Sequence, residues 1–452
     1  MRSHIIIRLG PTDSAPVPLP AGEPHRELDL RPDTTALKFG IGQILDEAAG
    51  HGLQISEVGV DLLVLAVAVQ AADTRISRVR NAEDSFTREI GLSVPVSNPT
   101  LWAGVSDLVE RMLRFLSGDL WTISFRPRPS GMDRLAPPRR GLPLIGFNRV
   151  ALFSGGIDSF VGAVDLLAAG REPLFVSHYW DAGTSSQASC ASHLNREFGV
   201  FERRHVRARV GITAGDMASF GSEDTQRARS FLFVSLAAAC ASALPAGHRI
   251  IDVPENGLIS LNVPLDPLRL GAWSTRTTHP FYLARWQELV ERLDIADQVE
   301  NRYRFKTKGQ MLDEVSRREF VERSIPSTIS CSSVSKARWG GQAPGHCGYC
   351  VPCLIRRASE LRAYGREPTT YVGLPQLTGT VDPRTAKGEH IHSFELMVER
   401  LRVAPNTATG LVRKPGPLSD YSADEIKSYA EVFREGIAEV GQAIRGVHAI
   451  AS

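Results

Sequence analysis

The sequence predicts an α/β protein built on a doubly wound parallel sheet. Three observations predict it. Short apolar runs alternate with helical stretches from residue 148 onward, glycine closes several of those helices, and the first run breaks into the bend Ser154-Gly155-Gly156-Ile157-Asp158-Ser159 before a helix begins. Strands and helices alternating in this way pair in parallel through helical crossovers, and ligands then gather outside the carboxyl ends of the strands.

The 452-residue chain exceeds one ordinary core, and about 150 residues per domain gives two or three domains. A short strand is expected from Ile5 to Leu9. The longest apolar run, Leu62 to Val69, is far short of the ~20 residues of a membrane span and predicts a buried helix. Leu101, Val105, Leu108, Met112 and Leu116 share one helical face, and Trp121, Ile123 and Phe125 alternate as in a strand. An N-terminal α+β accessory and partner-binding domain over 1–145 follows. Its end is marked at 126–146 by five prolines, three glycines and five arginines, the composition of a solvated basic linker or long surface loop.

Strands are expected at Val150 to Phe153, Pro173 to Ser177, Val206 to Val210 and Ile250 to Val253. The helices between them end near Gly170 and Gly199, where glycine supplies the left-handed cap residue, and the third runs from Thr225 to Leu244. This central domain spans 146–330, a four-cysteine module 331–375 and a helical extension 376–452. In the extension Ser422 and Glu425 have capping-box spacing. Ile426, Tyr429, Phe433, Ile437, Val440, Ile444 and Val447 form a stripe read as core packing against the rest of the chain, a partner-protein interface being the less favoured alternative.

Lys and Arg number 52 against 50 Asp and Glu, so the whole chain carries no global signal for nucleic acid or membrane; such contacts would need a local patch. The opening MRSHIIIRLG predicts no secretory leader and therefore a cytoplasmic protein. Six cysteines in that setting argue against a disulfide scaffold.

The glycine bend is chemistry for an anion. Adjacent glycines admit positive φ and close approach to main-chain N–H groups, the hydroxyls of Ser154 and Ser159 add donors, and a helix amino terminus points into the same place. No Lys-Ser or Lys-Thr follows, so it is not a Walker loop. Ser154, Gly155, Gly156, Asp158 and Ser159 resemble the PP-loop signature of the N-type ATP pyrophosphatases, which cleave ATP to AMP and pyrophosphate while adenylating a substrate oxygen. That resemblance implies ATP held by the loop and Mg²⁺ held with help from Asp158. It gives Arg227 and Arg229 the place of a nucleotide-contacting arginine. Lys306 and Lys308 resemble the family's late Thr-Lys-x-Glu stretch near the leaving pyrophosphate, with Gln310 in place of the glutamate. Asp158, Ser159 and Lys308 become the expected catalytic set.

Cys331, Cys347, Cys350 and Cys353 give C-x15-C-x2-C-x2-C, the ligand set of a structural zinc. An iron–sulfur cluster is the less favoured alternative. Cys190 and Cys240 read as small buried hydrophobes, and His346 as a neighbour of the metal site rather than a ligand.

A PP-loop followed by "ISC" and "CGYCVPCLIRR" closely resembles QueC, the 7-cyano-7-deazaguanine synthase family, over 148–365. That family activates a 7-deazaguanine carboxylate with ATP, lets ammonia attack, and dehydrates the amide to a nitrile. The chain departs from it at Tyr179-Trp180-Asp181-Ala182-Gly183, at Pro254-Glu255-Asn256-Gly257 and at Ser274-Thr275-Arg276-Thr277-Thr278-His279. With the two extensions, these departures resemble the QueC-like proteins of anti-phage operons, the QatC type of the Qat system. The resemblance implies adenylation of a 7-deazaguanine-type carboxylate and transfer to an amine or protein acceptor, with an operon-encoded protein partner and no membrane. Plain nitrile synthesis for queuosine in tRNA, or a nucleotide-binding scaffold without turnover, are the alternatives. Glu255, Asn256, Arg276 and His279 are the candidate substrate contacts, Arg276 because guanidinium neutralises carboxylate or phosphate.

Overall fold

The computed structural model describes residues 2–33, 36–82, 84–141, 146–179, 184–213, 215–216, 220–266, 276–332, 334 and 345–450. Two parallel sheets organise them. The first comprises β1 (Ser3–Arg8), β2 (His25–Asp29), β3 (Glu89–Val96) and β4 (Leu120–Pro127), in the order β2-β1-β3-β4 with every neighbouring pair parallel. Helices α1 (Ile41–Gly50), α2 (Glu57–Arg75), α3 (Arg78–Asn81), α4 (Pro99–Ala103) and α5 (Ser106–Ser117) connect these strands. The front half is thus α/β rather than the expected α+β. Parallel neighbours require long crossover connections, and the chain supplies them between each pair of strands. The single helix expected over Leu101 to Leu116 is two, separated at Gly104 and Val105.

The second sheet begins with β5 (Arg149–Leu152), α6 (Ile157–Ala168), β6 (Pro173–His178), α7 (Thr184–Phe198) and β7 (His205–Ala208). It continues through α8 (Arg229–Ala241), β8 (Ile250–Asp252), α9 (Gly257–Leu261), α10 (Pro280–Arg292) and β9 (Gln298–Glu300). The order is β7-β6-β5-β8-β9, all parallel. The expected doubly wound sheet is present. It gains β9, whose Gln-Val-Glu sequence has no apolar run to announce it.

The two sheets share one core. Helix α2 is buried from Gly59 to Thr74 because it lies between the first sheet and α8, and a single apolar cluster runs from Ile5 to Ala296. Ser56 Oγ caps α2 by accepting from Gly59 N at 3.1 Å, while Ser56 N donates to Ser242 Oγ at the end of α8. A Cβ on Gly59 would meet that hydroxyl at 2.6 Å, so glycine sets how closely the two helices approach. The segment 126–146 is not a free basic linker at its start. Arg126 pairs with Asp13, and the nearly buried Arg128 reaches Glu57 and Asp61, the latter also accepting from Trp102 Nε1 at 3.1 Å.

Beyond β9 come α11 (Lys308–Glu314), α12 (Arg318–Ser324), α13 (Val351–Tyr364), β10 (Gly379–Val381), α14 (Ala386–Val403), α15 (Ala408–Leu411), α16 (Ala423–Ala443) and β11 (Val447–Ala449). The predicted capping box forms at Ser422 and Glu425, and the α16 stripe is buried in a second core against α9, α13 and α14. No helix among the described residues is long and apolar enough to cross a membrane.

Candidate functional site

In the second sheet the winding direction reverses between β5 and β8, so the loops leaving these strands diverge and open a crevice. A cavity of about 660 Å³ occupies it. Its floor is the glycine bend. Gly155 takes φ +79°, and a Cβ there would come within 2.7 Å of Gln187 Cα, so the bend needs glycine on both counts. Ser159 Oγ accepts from Ser154 N at 3.2 Å and lies 3.1 Å from Ser154 Oγ, which drives the loop into a tight ring ahead of α6. Among the described residues the N–H groups of Gly155, Ile157, Asp158 and Ser159 make no hydrogen bond. Unpaired donors at the positive end of a helix form a cradle for an anion.

Beside the cradle a buried charge cluster joins three distant segments. Lys308, the first residue of α11, places Nζ 2.8 Å from Asp158 Oδ1, and Asn256 Nδ2 donates to Asp158 Oδ2 at 2.8 Å. The Glu255 carboxyl contacts Asp158 as well. Burial alone would raise the Asp158 pKa, but the Lys308 ammonium and hydrogen bonds from Glu255, Lys308 and Asn256 outweigh it and hold this carboxyl below the usual range. Glu255 goes the other way. Burial and the neighbouring Asp158 charge push it well up.

A pH prediction follows. A carboxyl whose folded pKa is raised contributes stability that is complete below its unfolded value, near 4.3, and lost as pH rises through the folded value. Glu255→Gln keeps a neutral donor at this position. It should therefore lose less stability than the parent as pH rises above about 4.3 in thermal melts; parallel curves would show that the Glu255 pKa is not raised by the fold.

Lys308 is itself fixed by its helix cap. Thr307 Oγ1 accepts from Gln310 N at 3.0 Å and Gln310 Oε1 accepts from Thr307 N at 2.7 Å, a complete capping box. The amide in place of the expected glutamate has a use, since Gln310 Nε2 donates to Glu435 of α16 at 2.7 Å. Thr307 Oγ1 also donates to Glu439 of the same helix, which pairs with Arg362. The C-terminal helix thereby buttresses the lysine.

The remaining expected residues divide. Arg229, Glu255 and Ser154 line the cavity, with Arg229 against the Phe233 ring. Arg227 turns away: it donates to Ser117 O at 3.2 Å and stacks on Phe86 of the front half. Lys306 pairs with Glu314 outside the site. Arg276 donates to Phe115 O and covers the Phe115 ring, where burial lowers its pKa to about 10. His279 caps α10 by accepting from Phe281 N at 3.1 Å, and burial followed by Arg276 lowers it to about 3. Neither faces the cavity as a substrate contact. Asn256 caps α9 and orients Asp158, which makes it a positioning residue. Thr277 and Thr278 line the cavity in their place, together with His178 and Gln187. These four belong to no motif, and their arrival at one place depends on the fold. Residues 180–183, 274 and 275 lie outside the described residues.

The cysteines converge. All four sulfurs lie within 4.8 Å of one another, with Cys331 to Cys350 at 3.9 Å and Cys347 to Cys353 at 3.8 Å. Zinc–sulfur bonds of about 2.3 Å in a tetrahedron place sulfurs about 3.8 Å apart, so this group could hold zinc. Cys350 N and Cys347 N point at the sulfurs of Cys347 and Cys331. His346 stays out of the set and approaches Thr328 O through Nε2 at 3.1 Å. The buried Arg356 donates to Ile325 O, Thr328 O and Thr328 Oγ1, and Ile329 N donates to Gly155 O at 3.0 Å. The cysteine module is therefore hydrogen-bonded to the glycine bend, and Cys331 itself forms part of the cavity wall. Cys190 and Cys240 are buried and distant from the cluster, with burial raising both thiols to about 12.

Fold and site together define an α/β protein with two parallel sheets, a polar crevice at a strand-order reversal and a buried four-cysteine group able to hold zinc. Compared with known protein families and with curated proteins, the chain matches none in either set.

Proposed function

We propose that this chain is an adenylating, C–N ligase-type enzyme of the QueC-like PP-loop class, of the anti-phage QatC type, acting in the cytoplasm on a 7-deazaguanine-type carboxylate. The observation that carries the reading is the set of unpaired N–H groups at Gly155, Ile157, Asp158 and Ser159, flanked by the Lys308 ammonium and opening into a cavity of about 660 Å³. That volume suits a nucleotide-sized ligand. A substrate carboxylate oxygen attacks the α-phosphorus of ATP as the bond to the bridging oxygen breaks and pyrophosphate leaves. An amine nitrogen then attacks the acyl carbon, AMP departs with the bonding pair, and the nitrogen loses one proton. The cradle holds the departing phosphates, and Lys308 offsets their charge. Asp158 offers hard carboxylate oxygens that would help hold Mg²⁺, whose charge would further neutralise the polyphosphate.

The test is incubation of the purified chain with ATP, 7-carboxy-7-deazaguanine and its operon-encoded proteins, followed by mass spectrometry. AMP, pyrophosphate and a mass increment on an amine or protein are expected. A free nitrile formed from ammonia alone would favour the queuosine reaction, and nucleotide binding without AMP would leave a scaffold.

A further inference from the structure

The main cavity has a second polar end. Helix α8 lies along its wall through Arg229, Ser230, Phe233 and Val234, and no side chain caps the amino terminus of that helix. Arg229 N bonds Gln226 O at 3.3 Å and Phe231 N bonds Ala228 O at 2.9 Å; between them, Ser230 N has no acceptor among the described residues. The Ser230 side chain is left over too. It is 3% exposed, and its Oγ has no hydrogen-bond partner among the described residues. A hydroxyl buried in this way destabilises a fold, so its place in a cavity wall points to a ligand that completes it.

The core behind Ser230 does not consume it. Burial raises the Tyr282 pKa, and Trp286 and Ser230 stand near enough to temper it, yet none of the three polar atoms reaches a hydrogen-bonding partner among the described residues. Asp73 approaches the same helix end but is spent elsewhere: its Oδ2 accepts from Ala228 N at 2.8 Å and its Oδ1 from Arg88 at 3.1 Å. Two donors on one residue, at the positive end of a 13-residue helix and next to a guanidinium, are complementary to a carboxylate. The wall beyond them is apolar at Leu152, Phe233, Val234 and Val253, which suits a flat ring carrying that carboxylate. The glycine bend lies in the same cavity on a different element, so each end can take its own anion.

We infer that Ser230 N, Ser230 Oγ and the Arg229 guanidinium form the binding site for the carboxylate of the acid that is adenylated. Its role rests on the ligase reading above, while the anion site itself stands independently. One carboxylate oxygen is held there and the other stays available to attack the α-phosphorus. Arg229 then contacts the acid rather than ATP.

The experiment is calorimetric titration of the full chain with 7-carboxy-7-deazaguanine, with its neutral amide and with a non-hydrolysable ATP analogue, on the parent, Ser230→Ala and Arg229→Gln. The acid should bind the parent more tightly than the amide. Loss of one hydrogen bond to a charged group should weaken the acid roughly ten-fold or more in each variant, with the amide and the nucleotide analogue unchanged. Thermal melts of the ligand-free chain separate binding from packing. Removing an unpartnered buried hydroxyl in Ser230→Ala should hold or raise the melting temperature, whereas a fall would assign the hydroxyl to the core and overturn the site. Weakened nucleotide binding with unaltered acid binding would give the anion site to an ATP phosphate and overturn its assignment to the carboxylate. Equal binding of acid and amide, no binding of the acid to the parent, or acid binding that neither substitution changes would overturn it as well. Acid that binds through Ser230 and Arg229 without supporting pyrophosphate exchange would instead overturn the ligase reading and leave the carboxylate site standing.

Discussion

Asp158→Asn is expected to lower pyrophosphate release by about 10²–10³-fold while leaving a folded protein, a loss comparable with removal of one preorganised electrostatic contact. The fold should survive because Glu255 stands next to the same lysine. Burial and the Asp158 charge push its carboxyl pKa well up. Once that charge is gone, Glu255 can ionise and pair with Lys308, so no bare ammonium is left in the interior. The new pair is displaced from the start of α6, and both the lysine and the carboxylate leave the positions they hold against the cradle. Rate assays beside thermal melts separate the two effects. Parental turnover in the Asp158→Asn variant would remove Asp158 from the reaction, and a collapsed melt would show that Glu255 does not substitute.

Cys350→Ser should abolish stoichiometric zinc binding and destabilise the chain by several kcal/mol, because the free energy of metal binding by a four-thiolate site is folding free energy for the segment that carries it. The damage is expected to spread beyond the module. Residues 325–332 are pinned on one side by Arg356 and the cysteines and on the other by the bond from Ile329 N to Gly155 O. Loosening that segment releases the glycine bend. Elemental analysis, melting curves and pyrophosphate release should therefore fall together in Cys350→Ser, and chelator treatment of the parent should reproduce the change. Retention of zinc with an unchanged melt would exclude the four cysteines as its ligand set.

Local features were legible in the chain because local geometry forces them. Glycine is required at 155, where the chain adopts φ +79° and touches Gln187, and the serines close a ring within six residues. The Cys-x2-Cys-x2-Cys run turns at Gly348, which takes φ +86° and brings sulfurs together over a few residues. The tail helix carries both its cap and its stripe in one continuous stretch.

The choice between neighbouring cations was not legible. Lys306 and Lys308 differ by two residues, yet one pairs with Glu314 outside the site and the other is buried on Asp158, because α11 starts at Lys308. Arg227 and Arg229 diverge in the same manner. The helix expected from Thr225 begins only at Arg229, after Gln226 takes positive φ, and this turns Arg227 towards Phe86. Arg276 and His279 look like substrate ligands by type but complete the packing of Phe115 and the cap of α10.

Backbone torsion, residue spacing within one element and periodicity are enough to write the glycine bend, the cysteine ligand set, the alternation of the second sheet and the capped terminal helix into the chain. Long-range packing settled the rest. It brings Asp158, Glu255 and Lys308 together and makes the front half a parallel sheet sharing the same core. Those outcomes depend on which distant faces exclude water together, and burial, not residue type, then fixes the charge each group carries.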